Sequence, residues 1–216
     1  GMFLRKVKWP KGGSFLDICR EYLRYLEIIT KKQRNRTTVV FDGYELSTKD
    51  VAHIRRNKHS CVDVHPKLDT KSTVRKEQFL SNHGNKQRLI HLLLTYLEKH
   101  GVSCIRCPAD ADDEICLESI RRSEFSPVFT IGEDTDLLII PLHLVKSLDE
   151  EYHPIKVLTR SIKFDFVQTT KRLSDEILAS ILFAHAFLGF DTTSHIKGMG
   201  KRKLFKIPYS AWGHYG

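Results

Sequence analysis

Apolar residues first recur at helical spacing after Ser14. Phe15, Ile18, Tyr22, Tyr25 and Leu26 share one face, predicting a helix from Phe15 to about Ile29 with Ser14 as its N-cap. The β-branched run Thr37 to Gly43 then predicts a strand ending in Asp42-Gly43. A polar stretch with Ser47 or Thr48 as cap predicts a basic helix over Lys49 to about His59. Cys61 to Lys76 has no period and carries Pro66, so it reads as irregular. A longer amphipathic helix spans Gln78 to His100, with Phe79, Leu80, Leu89, Leu92, Leu93, Tyr96 and Leu97 inward, a break near Gly84, and Gly101 as the stop. VSCIRC, Val102 to Cys107, reads as a strand, and the acidic segment after Pro108 opens a helix. Val128 to Ile131 is a continuous apolar run, the mark of a buried parallel strand. Pro141 closes a second apolar run, with a loose segment from His143 to Pro154. One or two strands lie in Ile155 to Val167, and Ser174 caps an apolar helix reaching Gly189. Residues 1–13 are basic, carry breakers at Pro10, Gly12 and Gly13, and hold no opening strand.

Strands alternating with helices predict an α/β fold with a mostly parallel sheet. The strands near Thr38–Phe41, Val102–Arg106 and Val128–Ile131 are expected as parallel neighbours. With 216 residues, 41% hydrophobic and 28% charged, the chain is long and apolar enough for a single globular domain over 1–216. A formal net charge of +9 favours a polyanionic partner, and no apolar run is long enough to predict a transmembrane helix. The five cysteines are odd in number and lack a framework spacing, which suits a reducing, intracellular setting. Cys104 and Cys107 form a lone CxxC without a second pair and read as ordinary strand cysteines.

The candidate chemistry lies at strand ends, where open α/β sheets bind their ligands. Asp134 and Asp136 follow the strand at Val128–Ile131, two residues apart, and Glu133 precedes them. Paired carboxylates repel unless a cation lies between them, and Mg²⁺ takes oxygen ligands of this kind. Asp42 ends its own strand. Asp110, Asp112, Asp113 and Glu114 outnumber what a helix dipole asks for, so both a cap and a metal site stand as readings. Asp191 follows Gly189. Arg55 and Arg56 on the basic helix are either a solvated face or phosphate contacts. Lys197, Gly198, Gly200, Lys201 and Arg202 make a glycine-rich basic turn whose backbone N–H groups suit a phosphate.

These motifs, in this order, resemble the flap-endonuclease/XPG branch of the PIN-like nucleases, from about Phe15 to Phe205. VVFDG is similar to that family's strand with a metal-site acid, Asp42. Asp110 and Asp112 match an acid-x-acid helix start where the family more usually has Glu, and GEDTDLL matches its next acidic pair, Asp134 and Asp136. FLGFDTTSHIKGMGKRK resembles a segment with a further metal-site acid, here Asp191, and the start of a helix–two-turn–helix element that binds a duplex backbone. DGY, STK, FLSN, NK and DTTS are similar to uncharacterised Asteroid-like proteins, a partly mobile-element-derived branch. The resemblance implies a three-layer α/β/α core over 14–189 and a partial helix–two-turn–helix region over 190–206. The family's first acid-bearing strand has no counterpart here, its helical arch is replaced by the irregular stretch from Cys61 to Asn85, and Lys203-Leu204 stands where a small residue is usual.

The expected function is metal-dependent phosphodiester hydrolysis by an endonuclease or exonuclease acting on DNA rather than RNA, at flaps or strand–duplex junctions. Two Mg²⁺ or Mn²⁺ ions about 4 Å apart would be held by Asp42, Asp110, Asp112, Asp134, Asp136 and Asp191. Arg55, Arg56 and the 197–202 turn would bind phosphates. A nuclear location is expected, with no membrane partner. The alternatives are a nucleic-acid-binding protein that keeps the fold without turnover, and an interaction module whose acids serve only as caps.

Overall fold

Helix α2, Phe15–Ile29, organises the first part of the chain. The computed structural model describes residues 2–43, 62–108, 111–132, 136–146, 152–158, 163–174, 176–178 and 181. A helix start leaves four N–H groups without intrahelical partners, and here all four have one. Phe15 and Leu16 donate to the carbonyls of Thr70 and Leu68, at 2.9 and 2.8 Å. Asp17 N–H donates to Ser14 Oγ at 3.2 Å, and the N-cap Ser14 N–H to the Asp17 carboxylate at 3.0 Å. These two bonds complete a capping box. The Ser14 hydroxyl, which donates to the same carboxylate at 2.7 Å, and then the Ser14 N–H hold it below the usual carboxylate range. The predicted helix therefore has the predicted cap. Half of its start is closed by the irregular segment 62–75, which no local pattern announces.

The chain gathers into two compact units, Gly1–Ala111 and Asp112–Gly216. In the first, α1 (Met2–Lys6) and α2 precede strand β1 (Thr38–Phe41). Helices α3 (Lys76–Ser81) and α4 (His83–Lys99) follow, then β2 (Ser103–Arg106). The two strands pair in parallel, Thr38 opposite Ser103 and Phe41 opposite Arg106. Phe15, Ile18, Tyr22, Leu26, Phe41, Phe79, Leu89, Leu93 and Leu97 form the core. The break in the long helix falls at Asn82, whose side chain caps α4 by accepting from Asn85 N–H at 3.0 Å. Helix α4 ends in a Schellman motif: Gly101 has φ +80°, its N–H donates to Glu98 and that of Val102 to Leu97.

Residues 2–6 are helical where sequence showed only breakers and charge. The short helix is held from outside. Tyr22 OH donates to the Leu4 carbonyl at 2.7 Å, and Lys76 Nζ donates to the carbonyls of Arg5 and Val7. Fully buried Asn85 binds the irregular segment, donating to the Val62 carbonyl at 2.9 Å and accepting from Val64 N–H at 2.7 Å.

The second unit holds α5 (Asp112–Ser123), β3 (Val128–Ile131), α6 (Asp136–Lys146), β4 (Ile155–Leu158), β5 (Lys163–Asp165) and α7 (Phe166–Thr170). Strand β4 pairs in parallel with β3 and antiparallel with β5. The third expected neighbour of β1 and β2 is thus in a separate sheet among the described residues. The alternating Ile155 and Val157, both buried, supply β3 with its partner. The loose segment after Pro141 is corrected in part, because α6 runs through that proline to Lys146. Its missing N–H deprives the Leu137 carbonyl of a donor, an interior cost of roughly 3 kcal/mol. Burial of Leu137 and Leu142 and packing of Leu138 and Leu144 offset it. Ser174 does open a helix: its carbonyl accepts from Leu178 N–H at 3.1 Å.

Candidate functional site

Asp42 follows the last residue of β1. Phe41, 4% exposed, pins that end into the core against the ring of Phe3, and its carbonyl accepts from Cys107 N–H at 3.0 Å. The parallel ladder therefore continues past β2 to the point where the chain leaves for residues 108–111. Gly43 passes this exit so closely that a Cβ would lie 1.4 Å from the Cys107 carbonyl oxygen. Only glycine permits that approach. The half-buried Asp42 is thereby fixed at the shared carboxyl end of β1 and β2.

In the second unit, Asp112 is the first residue of α5 and Asp136 the first of α6. Asp112 and Cys116 stand one turn apart on the same helix face. Cys116 is 1% exposed, and burial pushes its thiol up to about 12; the charges of Asp112, Asp113 and Asp136 push in the same direction. Helices α5 and α6 pack against each other, so the charges at both starts act on the buried thiol. Gly132, just past β3, lies close to α6: a Cβ there would lie 2.1 Å from Leu137 Cδ1. Ser119 Oγ and Thr130 Oγ1 share a buried 2.7 Å hydrogen bond that ties α5 to β3.

Of the residues expected from sequence, Asp112 and Asp136 open two helices that pack against each other in the second unit, and Asp42 stands at the strand end of the first unit. Asp110, Asp134, Asp191, Arg55, Arg56, Lys197, Gly198, Gly200, Lys201 and Arg202 lie outside the described residues. Among the described residues, no group of three His, Cys, Asp or Glu side chains could hold a metal ion. The donor type within the second unit nevertheless suits Mg²⁺ or Mn²⁺: Asp112 and Asp136 are partly exposed carboxylates at helix starts. Cys116 offers a soft sulfur, which these hard ions do not favour. Cys104, on β2, is likewise raised to about 12 by burial first and by Glu98 second, which accords with an ordinary strand cysteine. The close approach at Gly43 and the role of Cys116 were missed in the sequence. The Asp42-Gly43 pair hinted at the first; nothing local marked the second.

Comparison with protein-family models, with curated proteins and with solved structures gave no match. Among the described residues, no helix is long and apolar enough to cross a membrane.

Proposed function

We propose that this chain is a metal-dependent phosphodiesterase of nucleic acids, on a PIN-like α/β/α fold. The observation that carries the reading is that Asp112 and Asp136 each open a helix that follows a β-strand, on two helices that pack against each other. In the first unit, by itself, Asp42 is a carboxylate at the end of a parallel strand. A carboxylate at a strand end suits a cation bound together with phosphate.

Bound Mg²⁺ or Mn²⁺ would supply a hydroxide-like nucleophile at neutral pH and neutralise charge on the leaving oxygen. The chain's own part is to hold carboxylates in place before substrate arrives. The Gly43–Cys107 approach fixes Asp42, and the Ser119–Thr130 bond braces α5 against β3. The acids by themselves would repel a phosphodiester. The net charge of +9 offsets that repulsion over the whole molecule.

The test pairs calorimetry with a flap-cleavage assay in Mn²⁺. Asp136→Asn and Asp112→Asn are each expected to weaken Mn²⁺ binding at least about tenfold and to abolish cleavage. Wild-type duplex binding without turnover would favour the inactive nucleic-acid-binding reading. Unchanged Mn²⁺ affinity in both variants would overturn the site.

A further inference from the structure

Helix α2 ends in an unusual way. Lys32 N–H donates to the Glu27 carbonyl at 2.8 Å, the long closing bond that α4 makes from Val102 to Leu97. In α4 the residue inside that loop is Gly101, at φ +80°. In α2 it is Lys31, at φ +50°, and Lys32 follows at φ +65°. The left-handed region costs glycine nothing and strains any residue with a Cβ. Two successive lysines hold it here, and strained backbone collects where function requires the side chains.

The surroundings point to a ligand. The turn reads Lys31-Lys32-Gln33-Arg34-Asn35-Arg36, and no acid occurs from Ile28 to Phe41. Arg34 is engaged by Glu27. Lys31, Lys32, Gln33, Asn35 and Arg36 are exposed, and neither lysine enters an ion pair among the described residues. The turn is built rather than loose. Gln33, Arg36 and Thr37 donate to Thr30, Gln33 and Arg34 at 3.0–3.2 Å, and Arg34–Arg36 form a 3₁₀ turn leading directly into β1. It thus sits at the amino end of β1, opposite Asp42, roughly 15 Å away at the strand rise of 3.3 Å per residue.

We propose that the 31–36 turn is a contact site for the phosphate backbone of duplex nucleic acid, separate from the acids. Lysines give charge at fixed spacing, and exposed Gln33 and Asn35 give the neutral donors that duplex backbones also accept. Those interleaved amides favour a nucleic acid over an anionic membrane. The proposal rests on the preceding section only for its partner class.

The test is fluorescence anisotropy of a labelled duplex across a salt series in EDTA, where cleavage plays no part. The probe variant is Lys31→Gly with Lys32→Gly, which removes both charges and relieves the strain. Duplex affinity is expected to fall at least about fivefold at 0.1 M salt, and the log–log salt slope by about two units, while the thermal midpoint holds or rises. Wild-type affinity and slope in the variant would overturn the proposal. So would wild-type binding to phosphatidylserine vesicles that depends on these lysines while duplex binding does not. The two sites separate cleanly: the variant should keep its Mn²⁺ affinity, and Asp136→Asn should keep the salt slope.

Discussion

At the scale of single residues, two glycines make the same kind of close approach with different consequences. A methyl at Gly43 meets a backbone carbonyl, Cys107 O, that the β1–β2 ladder holds in place. A methyl at Gly132 meets the tip of the Leu137 side chain, which can rotate. Gly43→Ala is therefore expected to cost about 3 kcal/mol, the upper end for overpacking, and Gly132→Ala about 1 kcal/mol. Urea unfolding of the two variants checks the order. Equal losses would mean that the ends of β1 and β2 part readily. Because Gly43 follows Asp42, its substitution should also disturb whatever that carboxylate binds.

At the scale of elements, the helices owe their ends to different partners. Helix α2 starts on its own capping box, so Ser14→Ala should remove about 1 kcal/mol of stability, read from the denaturant midpoint. The Thr70 and Leu68 carbonyls would still hold Phe15 and Leu16 N–H. A loss well beyond 2 kcal/mol would show that Ser14 also holds the irregular segment, to which it is joined by the bridge with Lys71. Helix α1, by contrast, depends on Tyr22 and Lys76 for the carbonyls of Leu4, Arg5 and Val7. Helix α6 tolerates Pro141 because its apolar face is buried on both sides of that residue. Propensity alone would have ended the helix there, and packing overrode it.

At the scale of the whole molecule, stability should depend on alkaline pH through thiols in both units. Cys19 and Cys104 in the first and Cys116 in the second are each raised from 9.0 to about 12, chiefly by burial. The folded chain holds these protons more tightly than the unfolded one. Their contribution is complete below about pH 9 and is lost as pH rises toward 12. Tyr22, also raised by burial, acts in the same direction. Lys76, lowered by burial, acts against it, but it is one group against four. The urea midpoint is expected to fall between pH 8 and pH 10.5. A flat profile would show that the thiols titrate alike in the folded and open chain.

The sequence by itself determined the periodic elements. Phe15–Ile29, the split helix before Gly101, and the strands at Thr38–Phe41 and Val128–Ile131 were legible because side-chain period, N-caps and glycine stops act over a few residues. The position of Asp42 and Asp136 after strands was legible for the same reason. Tertiary structure alone decided the rest. The pairing of β3 with β4 depends on partners 27 residues apart, Val128 with Ile155. The helix at 2–6 depends on a lysine at 76. The helices that begin at Asp112 and Asp136 pack against each other only because the second unit folds them together. None of these contacts leaves a local mark, since each is selected by burial and hydrogen-bond satisfaction between segments that are distant along the chain.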